Sequence, residues 1–135
     1  MNTAVLARKI ARLKTFLDDL KPYTALTDSD RRAAHYAIER LLQLLCEASA
    51  DIALQVVKRH GIAPLDSYRG IFMALATHGA LSKDLAERLA LACGMRNVLT
   101  HLYDDIDLDR VVAAVEPAVA LYSRFLDWAV PHLEP

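Results

Sequence analysis

Apolar residues recur every three to four positions along almost the whole chain, the spacing at which side chains share one face of an α-helix. The first such stripe spans residues 6–20 and stops before Pro22, which cannot continue a helix interior. No segment alternates apolar and polar residues for long enough to make a half-buried strand. The pattern therefore predicts an all-α fold whose first helix ends near Lys21.

A second stripe runs from Ile38 to Val56 without an intervening Gly or Pro. Thr27 or Asp28 offers an N-cap ahead of this stripe, and Gly61 ends it. These signals predict one long second helix of about 30 residues, roughly 45 Å at 1.5 Å per residue.

The third and fifth helices are predicted from caps and helix-breaking residues. Asp66 or Ser67 caps the short third helix, which stops at Gly79. Asp107 caps the fifth helix, and Pro117 lies inside it. Because proline has no backbone N–H, we expect a kink at Pro117 and not a break.

The fourth predicted helix, residues 83–102 after a Ser82 cap, is apolar nearly all round between residues 89 and 95. That pattern is typical of a central packed helix. Its second half then carries three polar residues, Arg96, Asn97 and His101. A buried, unpaired arginine is very costly, so Arg96 needs an anionic partner, a cluster of carbonyls or an opening to solvent.

These three polar residues can form a phosphate site. Asn97 and His101 lie four positions apart and so share a helix face, while Arg96 has a long reach. A structural alternative stays open, in which Arg96 pairs with Glu47 or Asp51 and His101 caps the helix end. Spacing alone is weak evidence, because Arg31 and His35 form a similar pair at a polar helix start.

Composition fits a single compact domain spanning residues 1–135, with 54% hydrophobic and 24% charged residues. The predicted architecture is a five-helix bundle with short antiparallel connections. Sixteen basic and 17 acidic residues give a net charge of -1. The chain thus lacks the excess of basic residues that is typical of a high-affinity nucleic-acid binder. Any RNA site must therefore be local.

Cys46 and Cys93 lie in apolar stretches without C-x-x-C spacing, so we expect buried thiols of a reducing compartment and no disulfide framework. No apolar run is long enough to cross a membrane, and no signal sequence is evident. The sequence thus predicts a cytoplasmic protein without membrane contact.

Metal binding is not predicted. His35, His60, His78 and His132 have no ligand partner at metal spacing. An acidic run resembles a calcium loop, but Arg110 stands where that loop needs glycine. The ligand positions would be Asp105, Asp107, Asp109 and Glu116.

Residues 94–107, GMRNVLTHLYDDID, closely resemble the R-x4-H-x-Y motif of the HepT-like ribonuclease toxins, a branch of the all-α HEPN superfamily. Residues 46–53 resemble the long second helix of that family, and residues 66–69 resemble the entry to the next. The resemblance implies that Arg96 and His101 are catalytic. It also implies that Asn97 is the supporting polar residue and Tyr103 the motif tyrosine.

The resemblance further implies a homodimeric endoribonuclease toxin that cleaves RNA at the dimer cleft without a metal or cofactor. Its partner would be an MntA-type nucleotidyltransferase antitoxin that transfers AMP from ATP to Tyr103. Two alternatives remain: a non-catalytic HEPN module that binds nucleotide or RNA and assembles with a nucleotidyltransferase, or a purely structural helical dimer. The role of Asp104 and Asp105 beside the motif stays open.

Overall fold

The computed structural model describes residues 3–63, 66–101 and 108–134, and of residues 95–101 it describes the helical backbone. Within these ranges the chain forms α-helices and two short 3₁₀ segments and no strands, which confirms the all-α prediction. The helices are α1 (Thr3–Leu20), α2 (Asp28–Ala33), α3 (His35–Arg59), α4 (Tyr68–Thr77), α5 (Lys83–His101), α6 (Leu108–Ala113) and α7 (Val115–Ala129). The 3₁₀ segments are Lys21–Ala25 and Val130–Leu133. None of the described helices combines the length and apolar composition of a membrane span.

Local signals fix most helix ends as predicted. Helix α1 ends at Leu20, and Pro22 lies in the 3₁₀ segment that follows. Thr27 caps α2 and Ser67 caps α4, each through a side-chain oxygen that accepts a backbone N–H. Ser82 does the same for Leu85 at the start of α5, at 3.2 Å. These caps satisfy N–H groups that have no partner inside the helix.

The predicted single second helix is wrong, because the chain interrupts it at Ala34. There φ is -98° and ψ is 17°, and the N–H of Ala34 bonds to both Asp30 O and Arg31 O, at 3.0 and 3.1 Å. The interruption separates α2 from α3. Tertiary contacts are the physical reason, since Arg31 of α2 binds groups on α6 and α7 and Arg32 of α2 binds Asp109 of α6.

The predicted fifth helix is also divided, at Ala114 and not at Pro117 itself. Pro117 has no N–H to give to the carbonyl of Ala113, and its ring crowds that carbonyl. The disturbance therefore falls one turn before the proline, between α6 and α7. The predicted Asp107 cap lies outside the described residues.

The core confirms the apolar stripes. The apolar stripe of α1 is buried at all five positions: Leu6, Ile10, Leu13, Leu17 and Leu20. Phe72 of α4 meets Phe125 of α7 edge-on, with ring centroids 6.3 Å apart. The prediction of a helix packed all round is wrong for α5, because Leu91 is 70% exposed. Leu89 and Cys93 are buried while Leu91 faces outward, so one side of α5 is open in the single chain.

Cys46 of α3 and Cys93 of α5 are joined as a disulfide, with Cα atoms 5.5 Å apart. The expectation of two free thiols is thus corrected. Both cysteines are buried, as their apolar surroundings predicted. Pairing depends on the distance between two residues that are 47 positions apart in the chain, which a sequence pattern does not contain.

Three contacts set the directions of the long helices. The indole N–H of Trp128, near the end of α7, donates to the carbonyl of Ala80 just before α5, at 2.8 Å. Arg59, which ends α3, donates to the carbonyl of His132 just after α7, at 2.9 Å. At the other end of the bundle, Arg31 of α2 reaches α6 and α7. Helices α3 and α7 therefore run parallel to each other, and α5 runs antiparallel to both.

Candidate active site

The predicted catalytic positions Arg96 and His101, and the supporting Asn97, fall on the last two turns of α5. The structure describes the backbone of these turns as helix, and the side chains lie outside the described residues. Tyr103 and the neighbouring Asp104 and Asp105 also lie outside them. The roles assigned to these residues therefore stay predictions.

The end of α5 runs beside the beginning of α3. The Cys46–Cys93 disulfide fixes which turns of the two helices face each other. His101 is eight residues beyond Cys93, about 12 Å along the axis at 1.5 Å per residue. Because α3 is antiparallel to α5, the matching level on α3 is eight residues before Cys46, at Ile38. The motif positions are thus level with the first turns of α3.

An open groove of about 530 Å³ lies between α5 and the α6–α7 junction. Leu91 forms part of its wall, and Arg88 and Arg110 add two basic side chains to an otherwise largely apolar lining. The guanidinium of Arg88 is held by Asp84, with Nε 3.1 Å from each carboxylate oxygen. The remaining lining residues are Leu42, Ala92, Ala113, Ala114, Pro117, Ala118, Leu121 and Tyr122.

Arg31 forms a second, buried basic centre, and its contacts are internal. Its Nη1 donates to the carbonyl of Val112 at 3.0 Å and to Glu116 at 2.8 Å, and its Nη2 donates to the other oxygen of Glu116 and, at 3.0 Å, to the carbonyl of Thr24. The hydrogen bonds between the two charged groups lower the pKa of Glu116 and raise the pKa of Arg31. Arg31 thereby ties α2 to α6 and α7.

A sequence model of the ribonuclease HepT-like family matches residues 6–127. The chain belongs to the ribonuclease HepT-like family. The family interpretation drawn from the R-x4-H-x-Y motif is confirmed.

Two curated members of related sequence are nucleases. The chain is 27% identical to the tRNA nuclease HepT of Aphanizomenon flos-aquae over 125 residues, which cover 90% of this chain and 85% of that protein. It is 31% identical to the mRNA nuclease HepT of Shewanella oneidensis over 86 residues, 64% of this chain and 65% of that protein.

The fold is similar to that of a solved toxin. That structure is the tri-AMPylated HEPN toxin of Shewanella oneidensis in complex with an MNT antitoxin. It superposes with a TM-score of 0.84 at 26% identity and covers 95% of this chain and 97% of that one.

In this HepT-like chain, the competing Arg31 and His35 pair is structural. Arg31 is committed to Glu116, and His35 Nδ1 lies 2.9 Å from Glu39. Asp51, one of the two acids weighed as a partner of Arg96, is bound by Lys9 at 3.4 Å. Contacts within the chain therefore account for the Arg31 and His35 pair, whereas the roles of Arg96 and His101 stay predictions.

The acidic positions of the apparent calcium loop are also engaged where the structure describes them. Asp109 binds Arg32 and Glu116 binds Arg31, while Asp105 and Asp107 lie outside the described residues. In the described part of the chain, no group of three or more His, Cys, Asp or Glu side chains could hold a metal ion.

Sequence reasoning did not single out Tyr36 and Arg40, which lie on the first turns of α3. Tyr36 is 76% exposed, and Arg40 is exposed one turn later. Their signal in the sequence is an aromatic and a basic residue four positions apart on the side of the helix opposite Ile38.

Proposed function

We propose that this chain is a metal-independent endoribonuclease toxin of a toxin–antitoxin pair, with Arg96 and His101 as catalytic residues and Asn97 in support. The observation that carries the proposal is the R-x4-H-x-Y motif in a chain of the HepT-like family. Two proteins of related sequence, a tRNA nuclease and an mRNA nuclease, support the proposed activity. RNA in the cytoplasm is the proposed substrate.

The chemistry suits these residue types. Cleavage of RNA through its own 2′-OH forms a bond from the 2′-oxygen to phosphorus and breaks the bond from phosphorus to the 5′-oxygen. One proton must leave the 2′-OH and one must reach the departing 5′-oxygen. Histidine exchanges protons near neutral pH, which suits His101. Arg96 carries a permanent planar charge that can bind two phosphate oxygens as negative charge builds up, and Asn97 adds a neutral donor.

We propose that the active form is a homodimer in which two motifs face each other. Each motif has one histidine, so two motifs across a two-fold axis supply an acid and a base. The open face of α5 supports this arrangement. Leu91 is 70% exposed beside an apolar groove, and a second copy would cover such a surface.

Regulation is proposed to act on Tyr103. The solved Shewanella oneidensis toxin is AMPylated and bound to an MNT antitoxin, which supports a nucleotidyltransferase of MntA type as the partner of this chain. AMP on Tyr103, two residues from His101, would add bulk and negative charge where a phosphate must bind. This modification would therefore switch the nuclease off.

The test is cleavage of cellular RNA by purified, unmodified protein in EDTA, with intact mass recorded to detect AMP. A reducing agent is included because a cytoplasmic protein meets reducing conditions, and the oxidised form is assayed beside it. His101→Ala and Arg96→Ala are each expected to lower the cleavage rate at least about a hundredfold while leaving the fold intact. His60→Ala is the matched control, since His60 is exposed just after α3, at the far end of the bundle.

Each outcome has a defined meaning. Cleavage that survives EDTA and His60→Ala but not His101→Ala supports the proposal. Cleavage that stops in EDTA and returns with a divalent cation overturns the metal-independent mechanism. Wild-type protein that carries no AMP and binds RNA without cutting it overturns the enzyme in favour of the HEPN binding module.

A further inference from the structure

Tyr36 is the most exposed of the large apolar side chains that the structure describes, at 76%. Its ring lies against the ring of His35, with centroids 4.0 Å apart and planes tilted by 37°. His35 is itself held by Glu39, 2.9 Å from Nδ1. The tyrosine is therefore supported on one side by a fixed neighbour, and most of its surface is open to solvent.

Arg40 lies one turn after Tyr36 on the same face of α3, at the spacing that places helix side chains next to each other. Its side chain is exposed and makes no ion pair or hydrogen bond within the part of the chain that the structure describes. The basic neighbour Arg32 differs, because Asp28 and Asp109 both bind it. No described residue therefore neutralises the charge of Arg40, which lies beside an exposed aromatic ring.

This pair lies at the same end of the bundle as the motif. Tyr36 is ten residues before Cys46, about 15 Å along α3, and His101 is about 12 Å beyond Cys93 along α5. The disulfide and the antiparallel course of the helices bring these two levels together. Packed helix axes lie about 8–10 Å apart, so the first turns of α3 border the end of α5.

We infer that Tyr36 and Arg40 form a subsite for one unpaired nucleotide of the RNA substrate. The nucleobase stacks on the open face of the Tyr36 ring, and Arg40 binds the adjacent phosphate. This inference rests on the proposed ribonuclease function and adds a substrate-positioning site outside the motif. An aromatic ring beside a free cation matches a base joined to a phosphate. A chain with a net charge of -1 needs such local sites to hold RNA.

The experiment measures binding of a short single-stranded RNA in which every 2′-oxygen is methylated, so that it cannot be cut through its own 2′-OH. Tyr36→Ala is expected to weaken binding about tenfold, as for the loss of one stacked base. Tyr36→Trp is expected to keep the affinity and to report stacking as quenched tryptophan fluorescence. Arg40→Ala is expected to weaken binding and to lower the slope of log affinity against log salt by about one.

Lys58→Ala is the matched control, because Lys58 is an exposed cation on the same helix at its far end. Unchanged affinity in Tyr36→Ala, with wild-type cleavage intact, overturns the subsite and leaves the proposed function standing. Wild-type protein that neither cuts nor binds RNA overturns both the subsite and the proposed ribonuclease function. A Tyr36→Ala protein that keeps its RNA affinity but changes its oligomeric mass or loses its nucleotidyltransferase partner overturns the inference, since the face would then contact protein.

Discussion

The two ends of this helical bundle are built differently. At one end, which we call the closed end, hydrogen bonds cross between helices: Trp128 donates to Ala80, and Arg59 donates to His132. At the other, the open end, the first turns of α3 lie level with the end of α5. The contacts named at the closed end are made within the chain. The open end leaves Tyr36 and Arg40 exposed, while Arg31 at the same end is bound within the chain.

This difference separates stability from recognition. The ring of Trp128 contacts the tilted ring of His132, with centroids 4.4 Å apart, and its centroid lies 5.2 Å from that of Phe125. Its ring thus continues the aromatic core. Tyr36 has one ring neighbour among the described residues, His35, and is 76% exposed. Substitutions in the contacts of the closed end, and at the internally bound Arg31, should therefore affect folding, whereas substitutions at the exposed Tyr36 and Arg40 should affect function.

Trp128→Ala should give the largest loss of stability. It removes a large, partly buried ring and leaves the carbonyl of Ala80 without its donor, so we expect the free energy of unfolding to fall by about 3 kcal/mol. Urea unfolding measures the change. Trp128→Phe should recover most of the unfolding free energy that comes from packing of the ring. A cleavage rate per folded molecule that falls tenfold in Trp128→Ala would contradict the division between the two ends.

Arg31→Met should cost about 2 kcal/mol, because it leaves the carbonyl of Val112 and the carboxylate of Glu116 without their shared donor. Arg31 is only 8% exposed, so water cannot easily replace its guanidinium. Arg32→Met is the control, since its ion pairs are exposed and contribute little to stability. Equal losses in the two variants, measured by thermal unfolding, would show that Arg31 is not a structural tie.

Glu116→Gln should have the smallest effect, and a pH-dependent one. Arg31 lowers the pKa of Glu116 in the folded chain, so this carboxylate stabilises the fold above its ordinary pKa of 4.5. That contribution is lost as the pH falls through the lowered value. The Glu116 side chain is 55% exposed, so we expect less than about 1 kcal/mol at pH 7. The stabilities of wild type and variant should converge as the pH falls through the lowered pKa of Glu116, and a gap that widens in that direction would contradict the sign.

Local chemistry explains why much of the fold could be predicted. Caps at Thr27, Ser67 and Ser82 accept N–H groups three residues ahead, so their effect is contained in the sequence. The candidate site was found in a similar way, through the spacing of Arg96, Asn97, His101 and Tyr103 and its resemblance to a family. The subsite around Tyr36 was not found, because exposure depends on what the rest of the chain leaves uncovered.

The sequence by itself determined the helical class, the apolar faces and the family, because each follows from periodicity or from residues close together in the chain. Only the tertiary structure decided the interruption at Ala34, the exposure of Leu91 and the Cys46–Cys93 pairing. It also decided that Arg31 forms an ion pair with Glu116. These outcomes depend on distances between residues far apart in sequence, and such distances are set when the helices pack against one another.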